Sequence, residues 1–318
     1  MTHRPIADLA RESPRVAAFL SGLGLALDGG RSLDDWLDGL GEEGLADRGL
    51  DRARVRAQLA RLLAEADEAP PAPLTRLTLI GGRDKKGRPE PVEVEIVPGE
   101  VVCVVGPTGA GKSRVLGDIE CLAQGDTPSG RHVLVNGRAP DAARRFSASG
   151  RLVAQVSQTM SFVVDLSVEA FVTLHARCRQ LPDPEAAAAR VVACANALSG
   201  EPFGASVSVT QLSGGQSRAL MIADCAVLGA APIVLIDEIE NAGIDRRRAL
   251  DLLVSEDKIV LISTHDPLLA LSGDRRLVVR DGGIARVLDT SDDERRVLAD
   301  LERVEAGLGR LRDRLRRG

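Results

Sequence analysis

Residues 101–113, VVCVVGPTGAGKS, constrain the fold of this chain more than any other stretch. Five small or β-branched apolar residues in succession read as a strand buried on both faces. The run breaks at Gly106, and helical spacing takes over after Ser113. Between them lie Gly106, Pro107, Thr108, Gly109, Ala110, Gly111, Lys112 and Ser113. This is the order G-x-x-x-x-G-K-[ST] in the strand–loop–helix setting that gives it meaning. Glycines let the chain curl so that successive N–H groups face inward. The helix beginning there adds its unpaired N–H groups and the positive end of its dipole. The reading is a cradle for a nucleoside triphosphate with Mg²⁺. Lys112 reaches the β- and γ-phosphates, Ser113 holds the metal, and Arg114 joins the nucleotide-binding set as the next helical residue.

At 318 residues the chain has room for one large α/β domain with appendages. A formal charge of −5 argues against a protein built to coat nucleic acid or an anionic membrane. Only four lysines stand among the 41 basic side chains, and one of them is Lys112, where a flexible point charge on phosphate is wanted. Cys103, Cys121, Cys178, Cys194 and Cys225 form no C-x-x-C pair and sit in apolar or helical surroundings. They read as buried thiols in a reducing compartment. The opening MTHRPIADLARESPR is too charged for a signal peptide, and no window approaches a membrane-spanning length of apolar residues. The expected location is cytoplasmic, peripheral on the inner face of the membrane if a separate membrane subunit is the partner.

Taken in order, residues 1–73 form a helical N-terminal region. Ile6, Leu9, Val16, Phe19, Leu20 and Leu23 have helical spacing, and Ser32 with Asp35 makes a capping box ahead of Leu33, Trp36 and Leu37. A third helix is expected over about 48–66, and Ala69-Pro-Pro-Ala-Pro73 closes the region as a stiff linker. From Leu74 the pattern is one of strands: 74–80, 92–97, 101–105, 131–135 before an Asn-Gly turn, 151–157, 233–237 and 258–264. Ala-rich helices occupy 165–200, interrupted by Leu181-Pro-Asp-Pro184, and a last hairpin covers RLVVRDGGIARVL. Polar residues collect at strand C-termini, the arrangement of a mononucleotide-binding parallel sheet. One such strand ends in Asp237-Glu238 and its neighbour in His265. Asp237 is placed to act on the Mg²⁺ shell, and Glu238 to orient the attacking water. His265 is placed to contact the γ-phosphate, and Gln158, after another strand, to join metal and water.

With these residues in view, the chain resembles the ATP-binding cassette (ABC) ATPase family, as a divergent member, over about residues 74–290. GPTGAGKS (106–113) matches the phosphate loop, Gln158 the Q-loop and Leu212-Ser213-Gly214-Gly215-Gln216 the signature. IVLIDE (233–238) matches the second nucleotide motif, Asn241–Asp245 the D-loop and STHD (263–266) the switch histidine. The resemblance implies an α/β P-loop NTPase of ABC ATPase type. Its sheet core is mostly parallel, with antiparallel β and helical subdomains, the latter over about 159–225. It implies an ATP hydrolase acting as a head-to-tail dimer, with itself or with a paralogous cassette. Each ATP is held by one copy's phosphate loop and by Ser213, Gly214, Gly215 and Gln216 of the other. Glu238, His265 and Gln158 carry the catalysis, and Ser113, Gln158 and Asp237 the metal.

The chain departs from the family's pattern before the phosphate loop, at Ile239-Glu240, where the common pattern has Pro, and in the short stretch from Asp245 to His265. The segment before the phosphate loop, TLIGGRDKKGR, lacks the aromatic residue on which the family stacks adenine, which leaves Arg83 or an aliphatic side chain to carry the base. Residues 291–318 add a C-terminal amphipathic helix with Val297, Leu301, Val304, Leu308, Leu311 and Leu315 at 4-3 spacing. That seam is expected to clamp on the catalytic domain, on the N-terminal helices or on its mate in a dimer. The work driven by ATP is read first as that of a transporter's ATPase subunit. Remodelling of a cytosolic enzyme or cofactor complex comes next, and a nucleic-acid-associated role last.

Overall fold

The computed structural model describes residues 4–12, 14–24, 30–47, 49–67, 73–141, 145, 151–157, 162–179, 181–237 and 244–317. Two compact units are present, Met1–Pro73 and Leu74–Gly318. The first contains α1 (Ile6–Glu12), α2 (Pro14–Gly22), α3 (Leu33–Ala46) and α4 (Arg52–Asp67). The expected capping box is present: the Ser32 hydroxyl accepts from Asp35 N, and the Asp35 carboxylate accepts from Ser32 N. This satisfies two helix-end groups that would otherwise lack partners. Leu9, Val16, Leu20, Leu33, Leu37 and Leu59 meet in a small core of this unit's own, with Trp36 packed at its edge. The linker residues 69–72 lie outside the described residues.

The second unit opens with β1 (Leu77–Ile80) and β2 (Glu93–Ile96), then β3 (Val101–Val105) and α5 (Lys112–Glu120). Next come β4 (His132–Val135), β5 (Val153–Val156), α6 (Val168–Cys178), α7 (Pro184–Leu198) and α8 (Gly214–Val227). The chain continues through β6 (Ile233–Asp237), α9 (Arg246–Ser255), β7 (Ile259–Thr264), α10 (Pro267–Ser272), β8 (Arg275–Arg280), β9 (Gly283–Asp289) and α11 (Asp292–Arg317). One sheet has the order β5-β6-β7-β3-β8-β9, and a smaller antiparallel one the order β2-β1-β4. In the large sheet β5, β6, β7, β3 and β8 run parallel, and β9 closes the edge antiparallel to β8.

Alternation at period two divides the large sheet's side chains between two cores. Val102, Val104, Leu235 and Leu261 face α5 and the antiparallel sheet. Val101, Cys103, Val234, Ile236, Val260 and Ile262 face the other layer with Ala219, Ile222 and Leu253. Truncating one of them, such as Leu235 to Ala, costs about 2–5 kcal/mol. The strand middles are therefore committed to packing, and chemistry is left to their C-terminal ends. Helices α6, α7 and α8 share a separate core of Val172, Val191 and Leu220. Asn136 and Gly137 make the hairpin turn read from their dipeptide, with φ of 52° and 75°.

Two expectations are met only in part. None of the five cysteines is in a disulfide, but only Cys103 is buried, and Cys178 is exposed. The seam of α11 does not clamp on the catalytic domain of its own chain: Val297, Leu301, Val304, Leu308, Leu311 and Leu315 are all exposed, as a face that meets its mate in a dimer would be. The helix is held instead through charged side chains. Arg246 pairs with Glu305 at 2.9 Å, Arg247 with Glu302 at 3.0 Å and Arg276 with Glu294 at 2.6 Å.

Candidate functional site

Strand β3 delivers the chain into residues 106–111 at the C-terminal edge of the sheet, between β7 and β8. Gly111, with φ 102° and ψ 24°, is the left-handed residue from which α5 starts. A Cβ built there would stand 2.6 Å from Gly282 Cα, so the turn between β8 and β9 packs directly on the loop. Gly282 N donates to Ala110 O at 2.6 Å and locks that contact. Lys112 is buried, and its Nζ donates to Gly106 O at 2.9 Å and Pro107 O at 3.4 Å. The lysine thus closes over its own loop, while the first N–H groups of α5 lack intrahelical acceptors.

A cavity of about 300 Å³ opens on this loop, lined by Lys85, Thr108, Gly109, Gly111, Lys112, Ser113 and Ser263. Ser263, near the end of β7, is buried, and its Oγ has no hydrogen-bond partner among the described residues. In the β6–β7 ladder Asp237 stands opposite Ser263, which brings the acidic strand end beside the cavity's far wall. His265 follows β7 and is exposed. The turn that carries it is fixed by Asp266, which accepts from Leu268 N at 2.7 Å and Leu269 N at 3.3 Å and pairs with Arg246. Arg114 does not line the cavity; a Cβ at Gly282 would come within 3.0 Å of its Nη1. Gln158, Glu238 and residues 241–243 of the expected D-loop lie outside the described residues.

The signature residues occupy a different place. Ser213 caps α8: its hydroxyl accepts from Gln216 N at 3.2 Å, and Gln216 Oε1 accepts from Ser213 N at 2.9 Å. Gln216 Nε2 also donates to Glu201 O at 3.2 Å. Ser213 and Gly214 are exposed, and none of residues 213–216 lines the cavity. The motif is therefore a well-formed helix start that faces solvent.

Two contributors escape a reading of the sequence. Lys85, in the polar loop between β1 and β2, reaches the cavity, and its Nζ donates to Gly109 O at 3.2 Å. Arg83, which with an aliphatic side chain is one of the two alternatives for carrying the base, donates to Gly87 O in its own loop. Arg131, the largest fully buried side chain, sits behind the site. Its Nε donates to Glu90 at 2.9 Å, Nη1 to Asp118 on α5 at 2.6 Å and Nη2 to Gly282 O at 2.8 Å. One guanidinium thus ties the nucleotide-side loop, the helix of the cradle and the turn that packs on it.

A largely parallel sheet, a phosphate loop between its central strands and acidic and histidine-bearing ends on neighbouring strands define a P-loop ATPase. Comparison with known proteins refines the class. The ABC transporter family pattern matches residues 89–241. An uncharacterised ABC transporter ATP-binding protein of Methanocaldococcus jannaschii is 50% identical over 246 residues, covering 77% of this chain and 94% of that one. The hemin import ATP-binding protein of Streptomyces coelicolor is 33% identical over 254 residues, 72% of this chain and 84% of its own length. The cobalamin import ATP-binding protein of Halobacterium salinarum is 35% identical over 204 residues, 61% of this chain and 49% of the relative. The fold matches a solved ATP-binding subunit of an ABC transporter at TM-score 0.54 and 22% identity, over 70% of this chain and 93% of that one. It also matches CbiO1 of Clostridium perfringens at TM-score 0.52 and 21% identity, over 74% of this chain and all of that one. The chain belongs to the ABC transporter ATP-binding family. It is an ATPase that couples ATP binding and hydrolysis to the conformational work of transport.

Proposed function

We propose that hydrolysis is Mg²⁺-dependent and occurs in composite sites between two copies of this chain arranged head to tail, seated on a separate membrane subunit. The observation that carries this reading is the cavity, lined by Lys112, Ser113 and Ser263, a buried hydroxyl without a partner among the described residues, next to Asp237. Hard oxygen donors of this kind suit Mg²⁺, with Ser113, Asp237 and Gln158 as the residues that would hold it. Held there, Mg²⁺ would supply positive charge against the negative charge that develops as the γ-phosphoryl leaves.

The chain's own residues divide the remaining tasks. Lys112 and the amides of residues 109–113 hold the triphosphate in place. Glu238 orients and deprotonates the attacking water, and His265, on a turn fixed by Asp266, steadies the γ-phosphate. Ser213, Gly214 and Gly215 supply a second anion-binding helix start. That start is exposed and outside its own chain's cavity, which supports a nucleotide presented by another copy. ATP then acts as part of the interface, and mass action ties dimer formation to it.

The test uses Glu238→Gln, which should retain ATP binding, lose turnover and sediment as a dimer only when ATP is added. S213R in the same background should remain monomeric. Wild-type turnover in E238Q would overturn the role of Glu238. Undiminished ATP-dependent dimerisation of the double variant would overturn the head-to-tail arrangement. Recovery of the native chain from a washed membrane fraction, released by solubilising the bilayer, is the expected result for the membrane subunit. Recovery wholly from the supernatant would overturn that part.

A further inference from the structure

We propose that Lys85 is a second phosphate-binding lysine, and that this chain recognises its nucleotide through the polyphosphate rather than by stacking the base. The inference rests on the nucleotide site described above and deepens it. Its starting point is the loop between β1 and β2, which carries four cations and no aromatic residue: Arg83, Lys85, Lys86 and Arg88.

Three of the four have other occupations. Lys86 pairs with Asp281 at 2.7 Å, and Arg88 pairs with Asp84 at 2.7 Å and with Asp281 at 3.2 Å. Arg83 donates to Gly87 O at 3.0 Å. Lys85 alone of the set turns into the cavity, where it meets only the Gly109 carbonyl at 3.2 Å. No carboxylate among the described residues is within ion-pair distance of it. Its ammonium therefore faces the same space as Lys112, which likewise donates only to loop carbonyls. Two such ammonium groups around one cavity match a polyanion and have no use for a neutral ring.

The placement is built into the fold. Lys85 N donates to Asp281 O at 2.7 Å, which anchors the residue to the turn between β8 and β9. Its aliphatic stem crosses Gly282, where a Cβ would come within 2.7 Å of Lys85 Cγ. Gly282 thus leaves room for the stem, and the stem aims the ammonium at the loop. A lysine is a compact point charge that reads charge and not ring shape. An ammonium at this position acts alike on ATP, GTP and inorganic tripolyphosphate.

The experiment is equilibrium binding of Mg-ATP, Mg-GTP and Mg-tripolyphosphate to the full chain and to Lys85→Met, Lys85→Arg and Lys112→Ala. Lys85→Met keeps the stem and removes the charge. It should weaken all three ligands by a similar factor, about tenfold for a charged contact at an exposed position. Lys85→Arg should recover most of that loss. Thermal melting without ligand should be unchanged in Lys85→Met, which separates lost binding from lost fold. Undiminished ATP affinity in Lys85→Met would overturn the proposal. So would a loss confined to ATP with tripolyphosphate unaffected, because Lys85 would then be reading the base. An ATP preference over GTP above about a hundredfold in the parent, or 2.7 kcal/mol, would overturn the claim that the base is not stacked or otherwise read. Lys112→Ala distinguishes the underlying reading: if it binds ATP like the parent, the cavity is not the nucleotide site at all.

Discussion

Arg131 and Arg246 each hold two carboxylates, and each joins elements far apart in the chain. Arg131 pairs with Glu90 and Asp118, and Arg246 with Asp266 and Glu305. Their surroundings differ. The Arg131 side chain is 0% exposed and its partners 3% and 4%, whereas Arg246 is 23% exposed and its partners 20% and 50%. In the first centre, desolvation is large and every remaining lone pair matters; Ser129 Oγ donates to Asp118 at 2.8 Å to help meet that need. In the second, water screens the charges and the pairs mainly set direction. The same chemistry thus locks one region and only guides the other.

Removing one member of each centre is the direct way to break this contrast. Arg131→Met leaves two carboxylates buried without their cation and should destabilise the larger unit by about 3–5 kcal/mol in urea unfolding. Replacing the whole group as E90M/D118L/R131M should recover part of that loss, since an apolar set carries no stranded charge. A loss below about 1 kcal/mol for R131M would erase the distinction drawn here. Arg246→Ala should cost about 1 kcal/mol, because its partners can turn to solvent. An intermediate case is His175, whose Nδ1 lies 3.0 Å from the buried Asp224 carboxylate. That hydrogen bond raises the imidazole pKa above its usual value. The pair's contribution is then full below about pH 6.5 and is lost as pH rises through the raised native value. With His175 more than a third exposed, the effect should stay under about 1 kcal/mol, read as a melting-temperature difference from H175Q that shrinks from about pH 6 to pH 9. Glu302→Gln, which breaks the largely exposed pair with Arg247 that helps hold α11, should shift stability by less than about 0.5 kcal/mol.

What the amino-acid order made legible was local. The Ser32–Asp35 capping box, the Asn136-Gly137 turn and the loop from Gly106 to Ser113 each depend on neighbours within a few residues. Strand ends bearing Asp237 and His265 could be placed because buried strands leave polar residues only at their ends. Arg131 was not legible: its partners lie 41 and 13 residues away, and RHVLVNG reads as an ordinary strand start. Lys85 looked like part of a polar turn, because its direction is set by Asp281 and Gly282 at the far end of the chain. In α11 the 4-3 spacing identified which residues share a face. It did not say which face the cassette would take, and the charged one was taken. The short α10 has too few residues to show a period at all.

The meeting of Gly111 and Gly282 has a consequence for how this protein can vary. The clash that a side chain at Gly111 would make is with Gly282 backbone, 2.6 Å from Cα. No substitution at the second position can relieve a substitution at the first, because there is no side chain left to remove. Point mutation therefore offers no compensated route through this contact. Sequences that lose Gly111 and keep the fold must have changed the length of the turn between β8 and β9, so tolerance here is written in insertions and deletions.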